Sequence, residues 1–291
     1  GTGIPDLGDF LFMPGTGVMH LQPGTHENPD EGYRSKYSHS REEASPAYYS
    51  LVLDDYGTKA EMTAGKLAGI LKFTYPKADN AWLLLDLNHT LRSRCEWANI
   101  RIENDSTITG YKLVNGWGPE RHVYFAARFS RPISDARIYM EDKPVIYNTS
   151  RFRSDRETYG KNVKLALEFP SEEGDTIVIR TAISGVSSQG ALANLAEIDG
   201  ESFESLRSKG EFAWNNQLAK FEIDGDKNQK ETFYTSVYHT FLHPFLFEDS
   251  DGKYRGLDKG IHTSDNFRNL TVFSLWDTYR ALHPLFYLVQ A

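Results

Sequence analysis

The sequence predicts a mainly β fold with an α-helical C-terminal part: an antiparallel β-sandwich followed by helices. Two observations predict it. Up to about residue 187, short apolar segments recur between Gly, Asn, Asp and Pro punctuation, as in Asp54-Asp55-Tyr56-Gly57 and Glu172-Glu173-Gly174-Asp175. That is the rhythm of many short antiparallel strands. Beyond that point the apolar residues take up helical spacing. A third observation narrows the class. No G-x-G-x-x-G stands between a strand and a helix, so a dinucleotide-binding fold is not supported.

Taken in order, strands are expected at 18–21, 48–53, 59–63, 70–75, 82–87, 108–113, 122–129, 136–140, 163–169 and 176–183. Ser187-Ser188-Gln189 can cap a helix reaching Ile198. A second helix is expected from Ser202 to Ile223, with Phe203, Leu206, Trp214, Leu218 and Phe221 largely on one face. Gly210 inside it costs about 1 kcal/mol relative to Ala, so a break is expected there. Gly225-Asp226-Lys227-Asn228 reads as a turn, and Lys230 to Leu242 as a third helix that Pro244 ends or kinks. Residues 248–269 form a polar excursion rich in Gly and Asp. Residues 270–290 read as one last helix, apolar nearly all round, which expects burial on every side. No partner for that burial is left in the sequence, so the chain is expected to be a piece of something larger. The organisation expected is a sandwich over 1–187, a helical linker over 188–269, and the start of a further helical domain over 270–291.

Composition bounds the function. The 291 residues carry a net charge of −8 and no basic run or stripe, so a nucleic-acid partner is not expected. The longest apolar stretches, such as Ala81 to Leu87, fall far short of the roughly 20 residues a spanning helix needs. Cys95 is the lone cysteine, which leaves no intrachain disulfide and no cysteine-based metal site. The chain starts Gly-Thr-Gly without Met, so the N-terminus is expected to be trimmed and the lack of a signal peptide says nothing of location.

Several clusters can carry chemistry. Trp276, Asp277 and Arg280 put an aromatic face, a carboxylate and a guanidinium within five residues at the head of an apolar segment. Such a set grips a sugar ring. Asp277 and Arg280 can also simply pair at i, i+3 beside a core Trp, and both readings stand. Trp117, between Gly116 and Gly118, is either a sugar platform on an exposed loop or a cover folded over the sandwich end. The Asp249 to Asp258 stretch starts like a calcium loop, but Gly252 is fourth and Gly260 twelfth, against the EF-hand pattern. A tight turn presenting Tyr254, Arg255 and Asp258 is preferred. His239 and His243 have chelating i, i+4 spacing but no third ligand in view. There is no H-E-x-x-H and no G-x-S-x-G elbow. Asn148-Thr149-Ser150 is a formal glycosylation sequon.

In order along the chain, these motifs resemble glycoside hydrolase family 92, the calcium-dependent exo-acting α-mannosidases. The resemblance rests on Gly1-Thr2-Gly3 with Asp6-Leu7-Gly8-Asp9, Ser38-His39-Ser40, Ala44-Ser45-Pro46-Ala47-Tyr48-Tyr49, and Leu53-Asp54-Asp55-Tyr56-Gly57. It continues through Gly110-Tyr111, Gly116-Trp117, His122-Val123-Tyr124-Phe125 and Phe233 to Thr240. It ends with Asp251-Gly252-Lys253-Tyr254-Arg255-Gly256 and Thr271 to Thr278. The resemblance implies a β-sandwich joined by a helical linker to an (α/α)6 barrel, with residues 270–291 its first helix and the active site at the interface. It implies hydrolysis of terminal α-mannose from N-glycans or mannans with inversion, by a Glu acid and an Asp base around a water, aided by Ca2+. The acid, the base and most calcium ligands are expected after Ala291, so no catalytic or metal residue is assigned here and the chain alone is expected to be inactive. Trp276 and Asp277 match positions expected to hold the terminal mannose; Arg280 and Trp117 are assigned with them. The remaining catalytic-domain segment is an expected partner, and the location is expected to be periplasmic or extracellular in a bacterium. The alternatives are a non-catalytic carbohydrate-binding module, or part of another sandwich-plus-barrel glycosidase or disaccharide phosphorylase.

Overall fold

The structure is a computed structural model that describes residues 8–25, 27–148, 150, 154–271 and 274–290. The opening Gly1 to Leu7, Thr149 of the sequon, and Val272-Phe273 lie outside the described residues. The strands are β1 (Leu11–Thr16), β2 (Glu43–Ser45), β3 (Tyr48–Leu53), β4 (Thr58–Ala64), β5 (Ala68–Thr74), β6 (Ala78–Asp86) and β7 (Arg94–Ile102). They continue with β8 (Thr107–Asn115), β9 (Arg121–Phe129), β10 (Arg137–Met140), β11 (Lys143–Pro144), β12 (Glu157–Gly160), β13 (Val163–Ser171) and β14 (Thr176–Ser184). They form a five-stranded sheet, β1-β6-β13-β10-β11, and a nine-stranded sheet, β12-β7-β8-β9-β14-β5-β4-β3-β2. The pairings are antiparallel, as the short-strand rhythm implies.

The core sits between the sheets. Leu83, Leu85, Leu165 and Leu167 of the smaller sheet meet Phe73, Ile100, Ile108, Phe125 and Ile179 of the larger. Each such side chain taken from water is worth roughly 1.5–3 kcal/mol. The far side of the smaller sheet is buried too, with Trp82 and Leu84 under Met19, Leu21, Leu53 and Tyr56. A strand buried on both faces reads as a continuous apolar run, and β6 does so from Ala81 to Leu85.

On the outer face of the larger sheet, Ile70, Ala126 and Ala182 are covered by α1 (Ser188–Leu195) and α2 (Phe203–Leu218). Ser187 caps α1 by accepting from the Gly190 amide at 3.0 Å, and Ser202 caps α2 through the Ser205 amide at 3.0 Å. α3 (Lys227–Thr240) starts in a capping box between Asp226 and Gln229. A hairpin of β15 (Lys253–Arg255) and β16 (Ile261–Thr263) follows, then α4 (Leu275–Thr278) and α5 (Leu282–Val289). No helix among the described residues is long and apolar enough to cross a membrane.

Four expectations are corrected. The strand at 18–21 is absent; the chain bends there. The strand lies earlier, at β1, in unbroken register with β6 and at a sheet edge, where Pro14 costs no ladder bond. α2 does not break at Gly210. A Cβ there would stand 2.5 Å from the Ala47 Cβ, so this glycine lets the helix lie close on the β2–β3 turn. The single helix over 270–290 is two short ones with 279–281 between them. Pro284 has no amide hydrogen and its ring collides with the carbonyl four residues back, so a helix can restart there only with Pro284 in its first turn. β7 was missed altogether; a bulge between Cys95 and Trp97 breaks its alternation.

Candidate functional site

The structure brings chemistry together where the sandwich meets the segment after α3. A cleft of about 460 Å³ lies between the β9 and β14 ends with the β4–β5 turn on one side, and residues 245–249 and 253–255 on the other. Its polar wall includes Asp9, Arg121, His122, Glu248, Asp249 and Arg255.

Each carboxylate in that wall is already committed. Asp9 receives both ends of the Arg121 fork, at 2.8 and 2.6 Å. Glu248 accepts from the Asn269 amide at 2.8 Å and from Ser264 Oγ at 2.6 Å, and these bonds hold its carboxyl below the usual range. Asp249 is buried. Its Oδ2 accepts from Ser184 Oγ at 2.6 Å and its Oδ1 from Asn194 Nδ2 at 2.9 Å. Burial pushes its carboxyl up, and those two bonds partly offset that. A Cβ at Gly190 would lie 2.1 Å from Asp249 Oδ2, so glycine lets the carboxylate seat against the first turn of α1. The knot of Ser184, Asn194 and Asp249 ties the later segment to the sandwich. The loop that began like a calcium site thus spends its first carboxylate on a structural joint.

His122 pairs through Nδ1 with the Tyr111 hydroxyl at 2.9 Å. Burial, then Arg255 and Lys259, push its imidazole down, so it is neutral near pH 7. Arg255 is held by the Gly185 carbonyl at 2.9 Å and the Lys259 carbonyl at 2.8 Å. With its carboxylates tied and its imidazole neutral, this wall can bind hydroxyl groups. It offers no free acid–base pair. Among the described residues no three His, Cys, Asp or Glu side chains come together to hold a metal ion. His243 packs on Phe245 and His239 on Tyr238.

The residues singled out in the sequence lie elsewhere. Trp276 and Asp277 are on α4, and Arg280 follows it; none of them lines the cleft. The Trp276 indole is 87% exposed. Of the two open readings, the Asp277–Arg280 pair does not form: α4 ends at Thr278, and the Arg280 guanidinium turns to Tyr279, with its Nε donating to the hydroxyl. Trp117, 75% exposed, stands on the β8–β9 loop and is not folded back as a cover. That loop touches the hairpin, since Lys259 Nζ donates to the Pro119 carbonyl at 2.7 Å. The structure shows no contact between Trp117 and the Trp276 group. Sequence reading missed Asp9, Arg121 and His122 as a group. Asp9 and Arg121 are 112 positions apart, and no local spacing signals such a pair.

Comparison with known proteins assigns the family. The model of the glycosyl hydrolase family 92 N-terminal domain matches residues 1–184, and that of the family 92 catalytic domain matches residues 190–291. No curated protein matches the chain. A solved family 92 α-mannosidase from Bacteroides thetaiotaomicron is 60% identical, with a TM-score of 0.96. The match covers 98% of this chain and 39% of that one. The same relative solved with mannoimidazole matches equally well, over 98% of this chain and 38% of that one. An inverting family 92 mannosidase from the same organism is 25% identical with a TM-score of 0.79, over 95% of this chain and 36% of its own. The chain therefore spans about two fifths of the length of these relatives. By two family models that together run almost its whole length, and by a close structural relative, the chain belongs to glycosyl hydrolase family 92.

Proposed function

We propose that the protein carrying this chain is an inverting α-mannosidase that removes terminal α-mannose from N-glycans or mannans, in the periplasm or outside the cell. One observation carries the reading: 60% identity over 98% of the chain to a solved family 92 α-mannosidase. That relative has been solved with mannoimidazole, and a more distant one is described as inverting.

In this proposal the chain supplies walls and grips. The exposed Trp276 face stacks on the apolar side of the pyranose, Asp277 and Arg280 reach its hydroxyls, and the Trp117 loop closes from the sandwich side. Inversion needs two carboxylates on opposite sides of the anomeric carbon, with room for a water. The carboxylates of the sandwich cleft are held in hydrogen bonds within the fold, and the proposal takes the acid and base from the part of the protein outside this chain, which spans about two fifths of its relatives' length. Ca2+ dependence is part of the proposal. The described residues offer no ligand set for that ion, and no step of the binding role runs through it. The test is hydrolysis of an aryl α-mannoside and an aryl α-glucoside by the protein carrying this chain. Release from the mannoside, lost with a chelator and restored by Ca2+, is expected; cleavage of the glucoside alone would overturn the reading.

A further inference from the structure

Beyond the part that α1 and α2 cover, the outer face of the nine-stranded sheet carries aromatic rings where such a face ordinarily carries charge, with Tyr111 and Tyr124 half-buried and Trp97 and Tyr159 exposed. β8 shows it most plainly. Lys112 points into the sandwich and is fully buried, while Tyr111 and Leu113 point out. Strand pairing lines the outward residues into two rows. One runs Tyr159, Asn99, Tyr111, Tyr124 across β12, β7, β8 and β9. The other runs Trp97, Leu113, His122. Tyr111 and Tyr124 rings lie 4.7 Å apart, centroid to centroid. At the sheet edge, Trp97 and Tyr159 lie 5.9 Å apart with their planes inclined by 32°. They are not face-stacked on each other, and they are 41% and 61% exposed. At the other end His122 lines the cleft. Three strand steps of about 4.8 Å make the track about 14 Å long.

We infer that these rows form a glycan-binding track on which a neutral mannan chain lies outside the sugar-cleaving site, running from the cleft to the Trp97–Tyr159 edge. The inference rests on the mannosidase reading for the identity of the sugar. The chemistry of the surface chooses the class of ligand. Pyranose rings offer flat C–H faces to aromatic rings and hydroxyls to polar tips, and each aromatic here except Trp97 has a hydroxyl or imidazole edge. Asn99, in line between Tyr159 and Tyr111, adds an amide held through its Nδ2 by the Thr158 carbonyl at 3.1 Å. Stacking of nucleic-acid bases needs a positive groove as well. At the sheet edge the charges are paired, Arg94 with Glu96 and Arg101 with Glu103, and Arg255 and Lys259 at the cleft end are held by backbone carbonyls, on a chain of net charge −8.

The test is retention of the protein carrying this chain in native gels containing α-mannan, with kcat/KM on an aryl α-mannoside measured in parallel. The aryl mannoside brings a single sugar, which the sugar-cleaving site takes up, and none to lie along the track. Trp97→Ala with Tyr159→Ala is expected to weaken mannan binding about tenfold or more and leave kcat/KM within about twofold. Tyr159→Ser alone, at a mostly exposed edge position, repeats the test with the least risk to folding and is expected to weaken binding in the same direction. Mannan retention unchanged in both variants overturns the track, as does equal retention of the parent by an α-glucan. A protein that binds mannan through Trp97 but cleaves no mannoside sinks the hydrolase reading and leaves the track standing.

Discussion

Trp276, Asp277 and Arg280 are neighbours in space because they are neighbours in sequence. An aromatic, a carboxylate and a guanidinium within five residues share one short helix and its exit. Its 87% exposure sets Trp276 outside the packed core of the described residues. Trp276→Ala is expected to leave the melting transition nearly unchanged, within about 0.5 kcal/mol, as for a surface position. The same change is expected to lower kcat/KM on an aryl α-mannoside about tenfold to a hundredfold, the worth of one stacked aromatic face. Thermal melts and steady-state kinetics on one preparation check both. A melt that collapses with the kinetics would make Trp276 a structural residue. Lys112 shows the opposite limit. Nothing in its sequence neighbourhood marks it as interior, yet its Nζ donates to the Asp9 carbonyl at 2.6 Å and to the His89 carbonyl. Burial pushes its ammonium pKa down. Lys112→Met keeps the volume but strands two carbonyls, and a loss of about 1–3 kcal/mol is expected in denaturant unfolding.

Elements with a clean local signal were read close to their observed limits. β3 matches from Tyr48 to Leu53, and the caps of α1 and α2 fall on Ser187 and Ser202 as their sequences imply. Those that failed carry a local exception. A bulge hides β7, Pro284 splits the last helix, and Gly210 looked like a break when it is a contact. Helix propensity alone favours Gly210→Ala by about 1 kcal/mol. The 2.5 Å approach to Ala47 reverses that, and a net destabilisation of about 1–3 kcal/mol is expected from overpacking. A more stable variant would show that α2 lies further from the sheet. The cleft was the least legible part. Its wall joins residues near 9, 121, 184 and 248, which only the folded sheet brings together.

For the whole molecule, two half-buried imidazoles set a direction for stability against pH. Burial holds both His89 and His122 below their ordinary value of 6.5. Between the lowered folded values and 6.5 the unfolded chain binds more protons, so stability rises with pH through that window and is lost as pH falls through it. The urea midpoint is therefore expected to be lower at pH 5.5 than at pH 7.5, and the slope to flatten in a His89→Gln, His122→Gln double variant. A midpoint that rises on acidification would contradict the partial burial of these rings. In the proposed function the larger architecture is a sandwich that presents a cleft, a loop and a helix to a mannoside that the whole protein cleaves with inversion. The most direct check is proton NMR of the reaction of the protein carrying this chain with an aryl α-mannoside. The first mannose released should be the β-anomer, with the α-anomer growing in only by mutarotation; α-mannose appearing first would contradict inversion, and no mannose at all would contradict the assignment of the reaction.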